Sequence, residues 1–269
     1  MKIAVPSMGP VAMIGGRVVT GAIALTAIAW LIKTAHARLP RGSEWRPAAV
    51  VGVFYVALPL LMWGYASQRL SVSLLSIINA AAPLFAAMLS LVWLREKMSA
   101  LGVGGLALGF AGVAVLVGGE GFTAGVDTAS IAAAFGASFF YGAVSNYTRQ
   151  AKSAAPLTNV LGSLWIGALI LLPLMFAFPA RETPGVAALS AVAALGILCT
   201  AVAYVAFFWL IAQIGAAPAL TTTYLIPVFG VIWGALFLGE RIGVHHILGA
   251  AMIVGGIALV ARARRDGVA

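Results

Sequence analysis

The sequence predicts an all-α polytopic membrane protein, and three observations carry that prediction. Of the 269 residues, 62% are hydrophobic and only 9% are charged, with a mean hydropathy of +1.07. A soluble domain keeps about 25% of its residues charged, so 16 basic and 7 acidic side chains could not keep a globular surface of this size in water. The apolar residues are also gathered into nine segments that each meet the length a bilayer demands, about 20 residues. Finally, these segments are apolar on every side, whereas strands of a closed β-barrel alternate apolar and polar residues. Soluble enzymes and nucleic-acid binders are excluded on this composition. So are disordered chains and, without a Gly-X-Y period behind the 31 glycines, collagen.

Taken in order, the predicted spans are 8–32, 47–67, 73–94, 100–118, 128–148, 157–179, 186–212, 217–238 and 243–261. The first follows Met1-Lys2, but Pro6, Pro10, Gly15, Gly16 and Arg17 break the short apolar run that a cleavable leader needs, so it is read as a span. The second places Tyr55, Pro59 and Trp63 on one helical face, and the third does the same for Ser76, Asn79 and Pro83. In the fourth, Gly105, Gly109 and Gly112 form a small-residue face suited to close helix approach, matched in the ninth by Gly249 and Gly256. The fifth carries Ser138, Tyr141 and Ser145 at helical spacing. Thr200 with Tyr204 in the seventh, and Thr223 with Pro227 in the eighth, are i, i+4 pairs. Cys199 is the lone cysteine, so no intramolecular disulfide forms, and it reads as a packing residue. His245 and His246 open the ninth span, where an interfacial position is expected, with pH sensing as the alternative.

Most connections are short, so neighbouring helices run antiparallel and no soluble domain fits between them. The net charge of +9 is spread over these connections rather than along one stripe, which makes it an orientation signal rather than a nucleic-acid footprint. Eleven Lys and Arg fall on one side and four on the other, which places the C-terminus in the cytoplasm.

The chain also matches itself without a gap at a shift of 144 residues. Residues 83–117, PLFAAMLSLVWLREKMSALGVGGLALGFAGVAVLV, align with 227–261, PVFGVIWGALFLGERIGVHHILGAAMIVGGIALVA. Pro83 pairs with Pro227, Glu96 with Glu240, Gly105 with Gly249 and Gly112 with Gly256. Shared Leu or Ala would mean little between apolar segments, but a proline, a glutamate and two glycines in register point to a duplication, the construction principle of secondary transporters. Glu96 falls in a loop assigned to the cytoplasm and Glu240 in one assigned outside, so the halves are inverted and each needs an odd number of helices. The second half holds five spans. The expected architecture is therefore an inverted five-plus-five repeat, over 1–119 and 128–265, with nine visible spans and the first helix missing ahead of Met1.

Residues Ala219 to Val260, reading ALTTTYLIPVFGVIWGALFLGERIGVHHILGAAMIVGGIALV, resemble the C-terminal signature of the EamA family of the drug/metabolite transporter superfamily. The mid-span proline, the Leu238-Gly239-Glu240 triplet and the Gly255-Gly256 pair carry the likeness. The first half is similar through Ile78 to Ser99, departing by Leu94-Arg95-Glu96 where the second half has Gly239, and Pro10 and Arg17 resemble the start of the family's second helix. The resemblance implies ten helices around a central cavity in a bacterial inner membrane and a carrier of small metabolites. It also implies that spans 47–67, 73–94, 128–148, 186–212 and 217–238 form the cavity walls.

Candidate site residues follow from where polar groups sit. None of the seven acidic residues is near the middle of a span, so a buried carboxylate relay has no candidate in the visible spans. Arg17 is the one charge inside a span, about nine residues or roughly 14 Å of helix from its outer end. It fits either an anionic group of a substrate or snorkelling to the interface. The cavity candidates are Trp63, Tyr65, Ser76, Asn79, Tyr141, Ser145, Thr200, Tyr204, Thr223 and Tyr224. Buried hydroxyls and amides need a partner in hydrocarbon, either a solute or a neighbouring helix. Pro83 and Pro227 remove a backbone bond and serve as hinges or as packing kinks. Glu96 and Glu240, beside Arg95, Lys97 and Arg241, serve as gates or as solvated interfacial charges.

No nucleotide-binding loop, catalytic motif or metal-ligand cluster occurs in the sequence, so neither a cofactor nor enzymatic chemistry is expected. The expected function is a secondary transporter exporting small organic metabolites, amino acids, nucleosides or drug-like solutes, by alternating access. Its expected partners are a small-molecule substrate and the lipid bilayer, with no nucleic acid. The alternative is a non-transporting scaffold or a degenerate remnant of such a carrier.

Overall fold

A computed structural model of the chain describes residues 3–32, 38–121, 127–151, 155–214, 222 and 225–266, and among these every regular element is helical. Eight helical stretches are long and apolar enough to cross a bilayer: Val5–Leu31, Gly42–Ala66, Val72–Trp93, Ala100–Gly118, Thr128–Gln150, Pro156–Ala177, Val186–Ile211 and Val244–Ala263. Leu225–Leu238 is a shorter apolar helix, and most of the residues just before it lie outside the described ones. Each of the nine predicted segments thus corresponds to a helix.

Four of them are not the uninterrupted helices that hydropathy implies. Helix α1 (Val5–Ile32) contains Gly9 at φ 72° and ψ 168°, ahead of Pro10. A residue before proline is pushed out of the helical region, and proline fits the first turn of a helix, so the regular part of α1 starts at Pro10. The predicted span 73–94 is two helices, α4 (Val72–Asn79) and α5 (Ala82–Trp93), with Pro83 in the first turn of the second. The face expected to join Ser76, Asn79 and Pro83 is therefore interrupted between Asn79 and Pro83, because Pro83 has no N–H to give the Asn79 carbonyl. Two further segments carry π-helical turns. One, Gly52–Ala57, joins α2 (Trp45–Val51) to α3 (Leu58–Ala66). The other, Ile197–Val202, joins α9 (Val186–Gly196) to α10 (Ala203–Ile214).

The chain folds as two compact units. The first comprises residues 1–68 and 147–220 and is organised around α1 and α8 (Pro156–Ala177). Met13, Ile14, Val18 and Leu25 of α1 are fully buried, together with Leu171 and Ala168 of α8. In lipid such burial gains little by itself, because hydrocarbon is as apolar as leucine; close packing at small residues supplies the association. Helices α1 and α8 run antiparallel, with Gly15 against Met175 and the Trp165 indole N–H donating to Thr26 Oγ1 at 3.0 Å. Helices α1 and α9 run parallel. A Cβ at Gly16 would lie 2.8 Å from Val192, and one at Gly21 3.2 Å from the Gly196 carbonyl. The segment from α2 through the first π-turn lies parallel to α8, where a Cβ at Gly52 would come within 2.9 Å of the Ser163 carbonyl.

The second unit comprises residues 69–146 and 221–269. Its helices α6 (Ala100–Gly121) and α12 (Val244–Asp266) pack antiparallel through the small-residue faces read from the sequence. A Cβ at Gly105 would lie 2.8 Å from the Gly256 carbonyl, and one at Gly112 2.9 Å from the Gly249 carbonyl. Under the 144-residue shift Gly105 becomes Gly249 and Gly112 becomes Gly256, so the two contacts exchange into one another. Helix α7 (Thr128–Gln150) brings Gly142 against the Ala82 carbonyl, where a Cβ would lie at 2.9 Å. Ser138 of α7 donates to the Ile78 carbonyl at 2.9 Å and Asn146 to the Ala86 carbonyl at 2.8 Å, bonds that give the broken third span polar partners. Helix α11 (Leu225–Leu238) packs on α4, with Gly230 against the Ser76 side chain.

Candidate functional site

In the first unit, three of the sequence candidates come together. Arg17 lies near the midpoint of the apolar stretch Val5–Leu31, half-buried, where an arginine costs about 2.5–3.5 kcal/mol on insertion scales. Gly21, one turn further along α1, makes the close approach to α9 and the second π-turn: a Cβ there would lie 3.1 Å from the Thr200 methyl. Arg17 reaches along the helix to the same place, and its Nε donates to Thr200 Oγ1 at 3.3 Å. The Thr200 hydroxyl in turn donates to the Leu195 carbonyl at 3.0 Å, five residues back. A five-residue reach is the spacing of a π-turn, so the irregular backbone fixes the hydroxyl that receives the arginine. Tyr204 lies one turn beyond Thr200, half-buried.

The second unit holds a different arrangement, around Glu240. Its carboxylate accepts from the Val72 N–H at 2.6 Å, the Ser73 N–H at 2.9 Å and the Ser73 hydroxyl at 2.7 Å. Ser71 caps the same helix end by accepting from the Leu74 N–H at 3.1 Å. Leu75 N–H closes the first turn on the Ser71 carbonyl. Three of the N–H groups that a helix start leaves open, those of Val72, Ser73 and Leu74, are thereby satisfied, and the negative charge sits where the helix dipole favours it. Space for the carboxylate comes from Gly234, where a Cβ would overlap both Glu240 and Ser73. Glu96 occupies the matching place after α5, and its N–H donates to the Ser90 carbonyl at 3.2 Å; the Glu240 N–H donates to the Gly234 carbonyl at 3.1 Å. These six-residue closures carry left-handed φ values at Arg95 (52°) and Gly239 (63°), as helix C-terminal caps do.

The remaining candidates are placed as follows. Trp63 is buried in α3 and Tyr65 is exposed. Ser76 donates to the Ser73 carbonyl at 2.8 Å and faces α11, while Asn79 ends α4. Tyr141 is half-buried and Ser145 is exposed, donating to the Tyr141 carbonyl at 2.7 Å. Pro227 is buried in the first turn of the described part of α11. Thr223 and Tyr224 lie outside the described residues. His246 stands near the start of the span Val244–Ala263, and its side chain is 3% exposed. Its ring folds back over its own helix start, where Nδ1 accepts from the Gly243 N–H at 3.2 Å.

Two buried asparagines escaped the sequence reading, although an amide inside an apolar span is a signal it could have used. Asn146 is bound to α5. Asn159 of α8 is 8% exposed, and its Oδ1 has no hydrogen-bond partner among the described residues. The described residues contain no group of three or more His, Cys, Asp or Glu able to hold a metal ion.

Comparison with known proteins places this architecture. The profile of the EamA-like transporter family matches residues 1–118 and again 128–262. The chain is 25% identical over 227 residues to the Streptantibioticus cattleyicolor protein named "Probable terminal-alkyne amino-acid exporter", covering 84% of this chain and 76% of that one. It is 26% identical over 268 residues to the uncharacterized transporter YoaV of Bacillus subtilis, covering 96% and 89%. A protein of known crystal structure superposes with a TM-score of 0.66 at 20% identity, over 97% of this chain and 91% of that one, a likeness of fold. The chain is a multi-pass membrane protein that belongs to the EamA-like transporter family.

Proposed function

We propose that the chain is a secondary carrier that exports small organic solutes across the bacterial inner membrane by alternating access. In this reading residues 1–119 and 128–265 are inverted repeats, and the C-terminus is cytoplasmic. The observation that carries the proposal is the exchange of the Gly105–Gly256 and Gly112–Gly249 contacts under the 144-residue shift. Two equivalent helices crossing antiparallel about a local two-fold support inverted halves, and inverted halves support rocking about a central site. The paired π-turns at Gly52–Ala57 and Ile197–Val202 add to this, because such irregularities concentrate at functional positions of helices.

Amino acids are the first solutes to test, since one relative is named an amino-acid exporter; nucleosides and drug-like solutes come next. The cavity candidates on spans 47–67, 73–94, 128–148 and 186–212 line the path in this reading. Pro83 and Pro227 are the hinges, and Glu96 and Glu240 hold the helix ends that move.

Counterflow into vesicles reconstituted with the purified chain is the direct test. Vesicles preloaded with an unlabelled solute should accumulate its labelled form transiently and saturably. If no solute from the three classes is taken up faster than by protein-free vesicles, the carrier reading fails.

A further inference from the structure

We propose that Arg17 is the anion-binding residue of this chain and that the solute it takes carries a single carboxylate. The guanidinium's two terminal nitrogens hold that carboxylate, and Thr200 holds Nε. The word solute rests on the carrier reading above; the anion site itself does not.

Arg17 lies well inside an apolar span, and among the described residues the ion pairs are Arg38–Glu44 and Arg69–Asp127, neither of which involves it. Among the described residues its hydrogen bond is the one from Nε to Thr200, a neutral oxygen. That bond uses one of five N–H donors and leaves the two-pronged edge of the guanidinium, whose spacing matches a carboxylate. An arginine within a span marks an ion or substrate site unless a counter-charge explains it.

A snorkelling arginine in the first half of α1 would run back toward Pro10. This one runs the other way, to the level of Gly21, where the Thr200 methyl lies 3.1 Å from a Cβ position. The side chain is thus held at mid-span by a hydroxyl that is itself fixed on the Leu195 carbonyl.

Helix α8 packs in parallel on the first π-turn much as α1 packs on the second, yet Pro156–Ala177 and Gly52–Ala57 contain no charged residue. A helix can therefore pack on a π-turn without an arginine, so packing does not account for Arg17.

The preference for one carboxylate over a phosphate follows from stoichiometry. Val5–Leu31 carries Arg17 as its single charge, and the sequences of α8, α9, the second π-turn and α10 carry none. One guanidinium neutralises a monoanion and leaves a dianion half compensated. Tyr204, one turn past Thr200 on the same run of helix and half-buried, is the nearest aromatic residue in sequence to the hydroxyl that holds Arg17.

The experiment uses the full chain in lipid nanodiscs. Butyrate, benzoate and L-phenylalanine are each compared with their amides by equilibrium dialysis and thermal shift. At least one acid should bind, and its amide about 10- to 100-fold more weakly, as the loss of a charge-assisted pair requires. Arg17→Gln should abolish the difference between acid and amide, Arg17→Lys should retain part of it, and melting of each variant without probe reports its folding. Equal binding of acid and amide, undiminished acid binding by Arg17→Gln, or no response to any acid would overturn the proposal. Counterflow in vesicles separates the two readings. Arg17-dependent binding without flux sinks the carrier and leaves the anion site, whereas flux unchanged in Arg17→Gln does the reverse.

Discussion

Arg95 and Gly239, 144 residues apart, adopt the same left-handed backbone at the ends of α5 and α11, with φ of 52° and 63°. Glycine takes this conformation freely, while a side chain brings its Cβ close to the backbone at a cost of roughly 1–2 kcal/mol. Arg95→Gly should therefore stabilise the protein by about 1 kcal/mol, and Gly239→Ala should destabilise it by a similar amount. Melting in detergent followed by size-exclusion chromatography reads both, and a neutral result for the pair would contradict the strain argument.

Glu240 ties the start of α4 to the loop after α11 through three hydrogen bonds. Because hydrogen bonds to a charged group contribute about 1.5–3 kcal/mol, Glu240→Ala should cost at least that much stability. Glu240→Gln, which keeps one acceptor oxygen, should cost less, and Ser73→Ala, which removes one bond, less again. Hydrogen exchange at the Val72 and Ser73 amides should accelerate in Glu240→Ala; unchanged protection there would mean that another group caps the helix.

The α6–α12 seam predicts a contrast between glycines. A Cβ at Gly256 would lie 2.5 Å from the Gly105 carbonyl and 2.6 Å from the Gly109 nitrogen, both backbone atoms that cannot rotate away. Gly256→Ala should force the helices apart and destabilise by about 1–3 kcal/mol, as overpacking does. Gly104, on the same helix α6 with nothing within 4 Å, should instead gain up to about 1 kcal/mol as alanine from helix propensity. Equal effects of the two substitutions on the melting temperature would refute the packing assignment.

Asp127, at the start of α7, predicts a dependence on acid. The Ser130 hydroxyl is the main cause holding its carboxyl below the usual range, helped by the Ala129 N–H and by Arg69 against an opposing desolvation. A carboxylate with a depressed folded pKa stabilises above its unfolded value, about 3.9. That contribution is lost as pH falls through the folded value. The wild type should lose stability between pH 5 and pH 3 slightly more steeply than Asp127→Asn. The group lies at a helix start and is partly open to solvent, so the difference should be small and should shrink further in high salt; parallel melting curves for the two proteins would rule it out.

Much of the fold was legible because the bilayer makes span formation a local property. A segment that is long and apolar enough forms a helix irrespective of its neighbours, since no other open structure satisfies its backbone in lipid. The glycine faces were legible for a related reason, because a missing side chain marks where backbones can meet. The candidate site was legible only as separate parts. Arg17, Thr200 and Tyr204 stood out as polar residues in apolar runs, but nothing in their spacing joined residue 17 to residue 200. Glu240 was read as a gate or a solvated interfacial charge, and nothing in the sequence pointed to its capping of α4, a pairing that requires two chain segments about 170 residues apart.

The sequence by itself determined the membrane class, the nine helical segments, the family and the self-similarity at 144 residues, all of which depend on composition and order along the chain. The tertiary structure decided where the helices break or widen, at Gly9, between Asn79 and Ala82, and at the two π-turns. It also decided which polar groups meet: Arg17 with Thr200, and Glu240 with the start of α4. The physical reason is that a buried polar group in an apolar span takes whichever partner packing brings within about 3 Å. That partner belongs to another helix, set by how the close-packed faces dock.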